Sequence, residues 1–337
     1  MRALPVLQPA RSARPLAAPS TPPRAVRLSL TDRCDLACIY CRPHKHDGYL
    51  ERRLSTDEWR VLVHGLVGAG VRRVRITGGE PLLFPGVVDF VAAIADLGLE
   101  DLAITTNATR LERLAAPLRA AGLHRINVSL DTLDSQRFFR ITRGGNLAQV
   151  LRGIDAAVAA GFDPIKLNTV VVRGENDDEV EAIARFAWER GLVPRFLEVM
   201  PIGDGQTLSD RMVPFSEIRA RLEHLLEPVD PAREADRGPA RYVARRGHAH
   251  QRVGFITGTT DTFCRGCDRL RVASDGTLRP CLATNDGVSP TLALARRDAD
   301  LVTDAVHAAW EMKPDGEVWK GCTEETAREV SIRQIGG

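Results

Sequence analysis

A unit of short apolar strand, polar loop and amphipathic helix recurs from Ala25 to about Glu198, and it restricts the fold more than any other feature of the chain. The strand runs are Ala25–Leu30, Arg72–Thr77, Asp101–Thr106, Arg125–Ser129, Ile165–Val172 and Val193–Glu198. The helical patterns between them have recognisable starts. Ser55-Thr-Asp-Glu58 reads as a capping box, Pro85 stands near a first turn, and Asp177-Asp178 precedes Val180-Glu-Ala-Ile183. Strands alternating with helices predict a parallel sheet. Eight such units close a standard barrel, but here the alternation stops after six. The expectation is therefore an α/β fold built on an incomplete (β/α)6 TIM-like barrel, followed by a C-terminal extension.

A polar cluster follows, ends or lies within each of these strands. Cys34, Cys38 and Cys41 come after the first, and Gly78-Gly79-Glu80-Pro81 after the second. Thr105-Thr106-Asn107 ends the third and Ser129-Leu130-Asp131 the fourth; Lys166-Leu167-Asn168 lies in the fifth, and Glu198-Val199-Met200 ends the sixth. Strand C-termini form the active face of parallel α/β folds, so these clusters should converge. Taken singly each has a plain explanation, Gly-Gly as a turn and Ser-Leu-Asp as a helix cap. Their common register is what points to a site.

Three thiolates at CxxxCxxC spacing on a loop leaving a strand can hold three corners of an iron–sulfur cube. Four is the usual number for a closed electron-transfer cluster, and an open coordination position is where metals do chemistry. On spacing alone, a structural zinc site completed by His44 or His46 and a chance grouping stay open. A second group, Cys264, Cys267 and Cys281, also offers three ligands, because the Asp275-Gly276 hairpin turn folds Cys281 back towards the CxxC pair. Zinc with an external ligand is the rival there, and Cys322 reads as a spare thiol. Arg269 and Arg271 alternate on a strand and leave one face. Paired guanidiniums beside a metal suit an oxygen-rich anion such as a triphosphate; without the cysteines they read as solvated surface arginines. Lys166 sits in an otherwise apolar run, where an inward ammonium is costly unless an anion pairs with it. The bland alternative places it at a solvent-exposed edge.

The net charge of +2 over 337 residues gives no case for nucleic-acid binding. Only four of the 46 basic residues are Lys, so an arginine here is not functional merely by being arginine. No stretch resembles a signal peptide or membrane span, and the odd count of seven cysteines reads as metal-binding and cytoplasmic rather than disulfide-paired. Residues 1–23 form a Pro/Ala-rich, disordered lead; 24–200 the barrel; 201–240 a linker region without visible chemistry; and 241–337 a C-terminal region.

CxxxCxYC, Gly-Gly-Glu-Pro, the CxxCxRxR…C hairpin and the terminal Ile335-Gly336-Gly337 together resemble the GTP 3′,8-cyclase (molybdenum cofactor biosynthesis protein A) family of radical S-adenosylmethionine enzymes, over Arg24 to Gly337. The resemblance implies that Cys34, Cys38 and Cys41 bind a [4Fe–4S] cluster chelated by S-adenosylmethionine, which Tyr40, Gly79, Ser129 and Met200 touch. It implies a second [4Fe–4S] cluster on Cys264, Cys267 and Cys281 that takes the guanine of GTP. Arg27, Arg75, Thr106, Lys166, Arg269 and Arg271 match GTP-contacting positions, and the Gly336-Gly337 tail supports catalysis. The implied reaction makes 3′,8-cyclo-7,8-dihydro-GTP, the first step of molybdenum cofactor synthesis, through a 5′-deoxyadenosyl radical that abstracts the ribose 3′ hydrogen. An external one-electron reductant and a homodimer are also implied. The competing functional reading is a two-cluster radical maturase acting on a peptide or natural product. Two departures from the family pattern are local: Arg42-Pro43-His44-Lys45-His46 replaces a usual Met-Pro, and Ala108 follows Asn107 where Gly is usual.

Overall fold

The computed structural model describes residues 22–41, 49–228, 239–261 and 267–314. Most of the Pro/Ala-rich lead, His44, His46, Cys264, Cys322, Gly336 and Gly337 lie outside the described residues.

The six expected strands form as β1 (Ala25–Ser29), β2 (Arg73–Thr77), β3 (Asp101–Thr106), β4 (Arg125–Ser129), β5 (Ile165–Val171) and β6 (Val193–Glu198). They pair in sequence order, every neighbour parallel. Helices α1 (Thr56–Gly68), α2 (Val87–Ala95), α3 (Leu111–Ala120), α4 (Ser135–Thr142), α5 (Leu147–Ala159) and α6 (Val180–Glu189) lie in the crossovers. The capping box is present: Ser55 Oγ accepts from Glu58 N–H, and Glu58 Oε2 accepts from Ser55 N–H at 2.9 Å.

The second half extends this sheet at both edges, which the halt of the βα alternation did not reveal. After a 3-10 segment at Gly203–Arg211 and α7 (Phe215–Ala220), the hairpin β7 (Ala240–Arg245) and β8 (His248–Ile256) follows. Strand β8 lies parallel to β6. Strand β9 (Arg269–Val272) then crosses to the opposite edge and lies parallel to β1, with β10 (Leu278–Arg279) antiparallel beyond it. The resulting order is β10-β9-β1-β2-β3-β4-β5-β6-β8-β7. Asp275-Gly276 makes the expected turn between β9 and β10, with Gly276 at φ 91°.

Strand alternation divides the side chains between two compartments. One set, including Val26, Leu28, Val74, Ile76, Leu102, Ile104, Ile126 and Val128, is fully buried in the main core with Trp59, Leu62, Leu66, Phe90 and Ile94 of the helices. The other set faces the sheet's concave interior and holds most of the chemistry-bearing residues.

Helices α8 (Thr291–Arg296) and α9 (Ala299–Glu311) close the chain's described part, α9 packing on α1. The contact depends on Gly65, where an added Cβ would stand 2.6 Å from Ala299 O and 2.5 Å from Val302 Cβ. Alanine is the better helix former by about 1 kcal/mol, yet the backbone carbonyl cannot yield. Gly65→Ala should therefore lower stability by about 1–3 kcal/mol in chemical denaturation; a neutral or stabilising result would refute this packing.

Candidate active site

The loops at the strand C-termini are stitched together by three buried carboxylates. Glu80 accepts from Thr106 Oγ1 (2.7 Å), Asn107 N–H (2.7 Å) and Leu82 N–H (2.9 Å), joining the β2 and β3 ends. Asp131 accepts from Tyr40 Oη (2.7 Å) and Val170 N–H (2.9 Å), joining the cysteine loop to β4 and β5. Glu198 accepts from the N–H groups of Phe215 (2.8 Å), Thr259 (2.9 Å) and Thr260 (3.0 Å), joining β6 to α7 and to the loop after β8. Burial pushes the Glu80 carboxyl up to about 7, against the pull of its three donors, and Asp131 up to about 6.

Gly79 is required by proximity. Its N–H donates to Thr31 O at 2.7 Å, and a Cβ there would lie 2.3 Å from Arg33 O. The Gly-Gly-Glu backbone is thereby pressed against the start of the cysteine loop. That loop is held from its other side by Ala37 N–H to Thr142 O and Ile39 N–H to Ile141 O, both 3.0 Å.

Behind this rim the concave interior forms one cavity of about 280 Å³. Cys34, Cys38 and Cys41 line one part of its wall, and Cys267 and Cys281 another. Tyr40, Gly79, Ser129 and Met200 line it too, as do Arg27, Arg75, Thr106, Arg269 and Arg271. Lys166 does not reach the wall. It shares the inward face of β5 with Asn168 and Val170, half-buried, and its ammonium lies 5.2 Å from the Tyr242 ring centroid. The solvent-exposed alternative for Lys166 is thus ruled out. Thr106 lines the cavity with its hydroxyl already engaged, donating to Glu80 and accepting from Ala108 N–H at 3.0 Å.

The thiols fit an iron–sulfur cofactor. The five described cysteines are thiols, and soft thiolates are the ligands that iron–sulfur clusters take. Among the described residues no three His, Cys, Asp or Glu side chains close around a single metal ion. Burial, reinforced by Glu80 and Asp131 respectively, pushes the Cys34 and Cys38 thiols up. Cys267 goes the other way: despite burial, Arg269 and Lys313 bring it down to about 7.

Arginines dominate the rest. Register places Arg27 of β1 directly between Arg75 of β2 and Arg271 of β9. Burial, then the charges of Arg271, Arg75, Arg269 and Arg195, push the Arg27 guanidinium well below its ordinary value. Burial likewise lowers Arg75 to about 9 and Arg271 to about 10. A guanidinium does not give up its proton in a protein, so these shifts measure how poorly the site tolerates its own charge without an anion.

Sequence reasoning missed two residues of this wall. Arg195 of β6 is buried and donates to Asn127 Oδ1 at 2.8 Å, leaving its Nε without a partner. The inward phase of β6 was the signal that could have found it. Lys313, just past α9, donates to Arg269 O and Pro280 O at 2.7 Å each and steadies the β9–β10 hairpin; no local pattern marks it.

Comparison with known proteins matches both halves of the chain. The Radical SAM superfamily model matches residues 28–187, and the Molybdenum Cofactor Synthesis C model residues 193–319. A GTP 3′,8-cyclase of Pelotomaculum thermopropionicum is 44% identical over 262 residues, covering 76% of this chain and 80% of the relative. GTP 3′,8-cyclase 1 of Pseudomonas aeruginosa is 43% identical over 296 residues, covering 86% and 89%. In fold, Streptococcus suis SuiB bound to S-adenosylmethionine superposes with a TM-score of 0.62 at 16% identity, covering 85% of this chain and 68% of that one. With relatives at this identity matched over most of their length, the chain belongs to the GTP 3′,8-cyclase family of the radical S-adenosylmethionine superfamily.

Proposed function

We propose that this chain converts GTP to 3′,8-cyclo-7,8-dihydro-GTP, the first committed step towards the molybdenum cofactor. The observation that carries the reading is the row of buried arginines Arg271, Arg27 and Arg75, in a cavity walled by cysteines from both halves of the chain. A buried row of adjacent guanidiniums of this kind calls for a polyanion. A peptide or natural product offers no counterpart to it, and the likeness to SuiB is one of fold alone.

In this reading Cys34, Cys38 and Cys41 hold the first [4Fe–4S] cluster, and Cys264, Cys267 and Cys281 the second. Tyr40, Gly79, Ser129 and Met200 seat S-adenosylmethionine. When bound, the first cluster would supply one electron for reductive cleavage of S-adenosylmethionine, and with it the radical chemistry that cyclisation at the ribose 3′ carbon of GTP requires. The chain's own work is placement. Glu80, held by three donors, ties the β2 and β3 ends together beside the cysteine loop. Arg27, Arg75, Arg269 and Arg271 would bind the triphosphate, with Lys166 and Arg195 deeper. Leu36, Val170, Leu197, Ile256 and Leu282 give the cavity its apolar lining and limit water around a reactive carbon. Thr106 serves by fixing Glu80. The Gly336-Gly337 tail, the external reductant and the homodimer follow from the family resemblance; the division at residues 200 and 240 and a cytoplasmic setting rest on the composition of the chain. Among the described residues no helix is long and apolar enough to cross a membrane.

Anaerobically purified protein should hold about eight irons per chain with matching sulfide, as two four-iron clusters require. With reductant and S-adenosylmethionine it should release 5′-deoxyadenosine and the cyclised nucleotide only when GTP is added. Two zincs without iron, or turnover on a peptide with GTP inert, would overturn the assignment.

Arg269→Ala and Arg271→Ala should each weaken GTP binding about tenfold or more, the scale of one charge-assisted contact. Iron content should stay at the wild-type level. Loss of iron with unchanged GTP affinity would instead make these arginines structural.

A further inference from the structure

Behind the part of the cavity wall formed by Arg195 lies a residue that neither the motifs nor the cysteine chemistry account for. Tyr242 lies on β7, at the sheet edge built by the second half of the chain. Register carries a single row from β5 to β7: Asn168 opposite Arg195, Arg195 opposite Gly254, and Gly254 opposite Tyr242. Gly254 is the gap in that row. A Cβ there would stand 2.8 Å from Tyr242 Cε1 and 2.9 Å from Arg195 Cγ, so the bare Cα lets ring and guanidinium stem meet across the intervening strand.

Three cations surround this ring. The Lys166 ammonium and the Arg252 guanidinium lie 5.2 and 5.3 Å from its centroid, and the charges of Arg195 and Lys166 both act on its hydroxyl. Lys166 and Arg195 come from adjacent strands and repel one another, and burial lowers both below their ordinary values. The phenol oxygen is an acceptor both can share. Burial alone would raise the Tyr242 phenol, yet Arg195 and Lys166 together bring it below its usual value, which shows how electropositive the pocket around it is.

We propose that Tyr242, seated in the slot left by Gly254, is a positioning residue for substrate phosphates: it holds Lys166, just behind the cavity wall, beside Arg195, which lines it, in the pose that receives a triphosphate. The inference rests on the cyclase reading above and adds a residue to it. Without a shared acceptor, the two cations would separate in the empty site, and the cost of reassembling them would be charged against each binding event. Tyr242 touches neither reacting carbon nor thiol in this scheme. Its removal should therefore act on phosphate affinity and leave the chemical step alone.

The test uses cluster-loaded protein under anaerobic conditions, titrated calorimetrically with GTP, inorganic tripolyphosphate and S-adenosylmethionine. Tyr242→Phe should weaken GTP and tripolyphosphate about tenfold, the loss expected when charged donors forfeit an acceptor. S-adenosylmethionine affinity and iron content should be unchanged, and KM for GTP should rise while kcat stays within about twofold. Gly254→Ala, which displaces the ring while keeping the hydroxyl, should reproduce that pattern. Wild-type tripolyphosphate affinity in Tyr242→Phe would overturn the inference, as would a parallel loss of S-adenosylmethionine binding, the mark of general distortion. If the unaltered protein binds neither GTP nor tripolyphosphate, the failure lies with the cyclase reading instead.

Discussion

Three guanidiniums on one row of a parallel sheet, Arg271, Arg27 and Arg75, set the terms for the rest of the molecule. Neighbouring strands are about 4.8 Å apart, so these charges cannot avoid one another by staying on their own strands. A closed barrel fills its interior with layers of branched apolar side chains. Here the inward positions of β1, β2, β6 and β9 carry arginine, and the interior is a cavity instead. The apolar burial that holds the fold together is consequently displaced to the outer face, between the strands and helices α1 to α6.

Charge is sorted along the strands as well as across them. Glu80, Asp131 and Glu198 stand at or just beyond the strand C-termini, each using its oxygens to accept from the loops of neighbouring units. The arginines stand further back in the strands. The rim is therefore acidic and internally bonded, while the deeper wall is basic. A ligand with an anionic end and a cation-tolerant, oxygen-poor end is oriented by this arrangement before any specific contact forms. The carboxylates, already saturated with N–H and O–H donors, do not compete for the arginines.

Local periodicity made the six core strands legible to within a residue, because an apolar run bounded by Gly, Asn or Asp is information carried by contiguous residues. Even a detail such as Ala108 had a trace in the sequence. The family resemblance leads one to expect Gly there, and Ala108 is indeed in the left-handed region at φ 64°, a conformation that costs a residue with a Cβ about 1 kcal/mol. What stayed illegible depends on pairing between distant segments. Nothing near Arg269 says that β9 will lie beside β1, about 240 residues earlier in the chain. Arg195 looked like one more arginine in an Arg-rich chain until the register put Asn127 and Gly254 beside it. Lys166 had the right face but the wrong depth: alternation shows which side a residue takes, not how far its side chain reaches.

The two edges of the sheet bear directly on this. Six βα units supply Arg27 and Arg75, but the row is complete only when β9 adds Arg271 on one side, and the support behind Arg195 only when β7 and β8 add Tyr242 and Gly254 on the other. Both additions lie at the margins of the sheet, where the outermost strands β10 and β7 are the exposed edges. An anion that bridges Arg271 to Arg27 and Arg75 interacts with the paired state of β9 and not with the detached one. Its binding free energy therefore adds to the stability of that edge. The same linkage runs backwards, since loosening β9 from β1 removes a third of the row and weakens the anion site. Substrate affinity and the closure of the sheet by the second half of the chain are in this sense one equilibrium, which is why residues so far apart in sequence have to be read together.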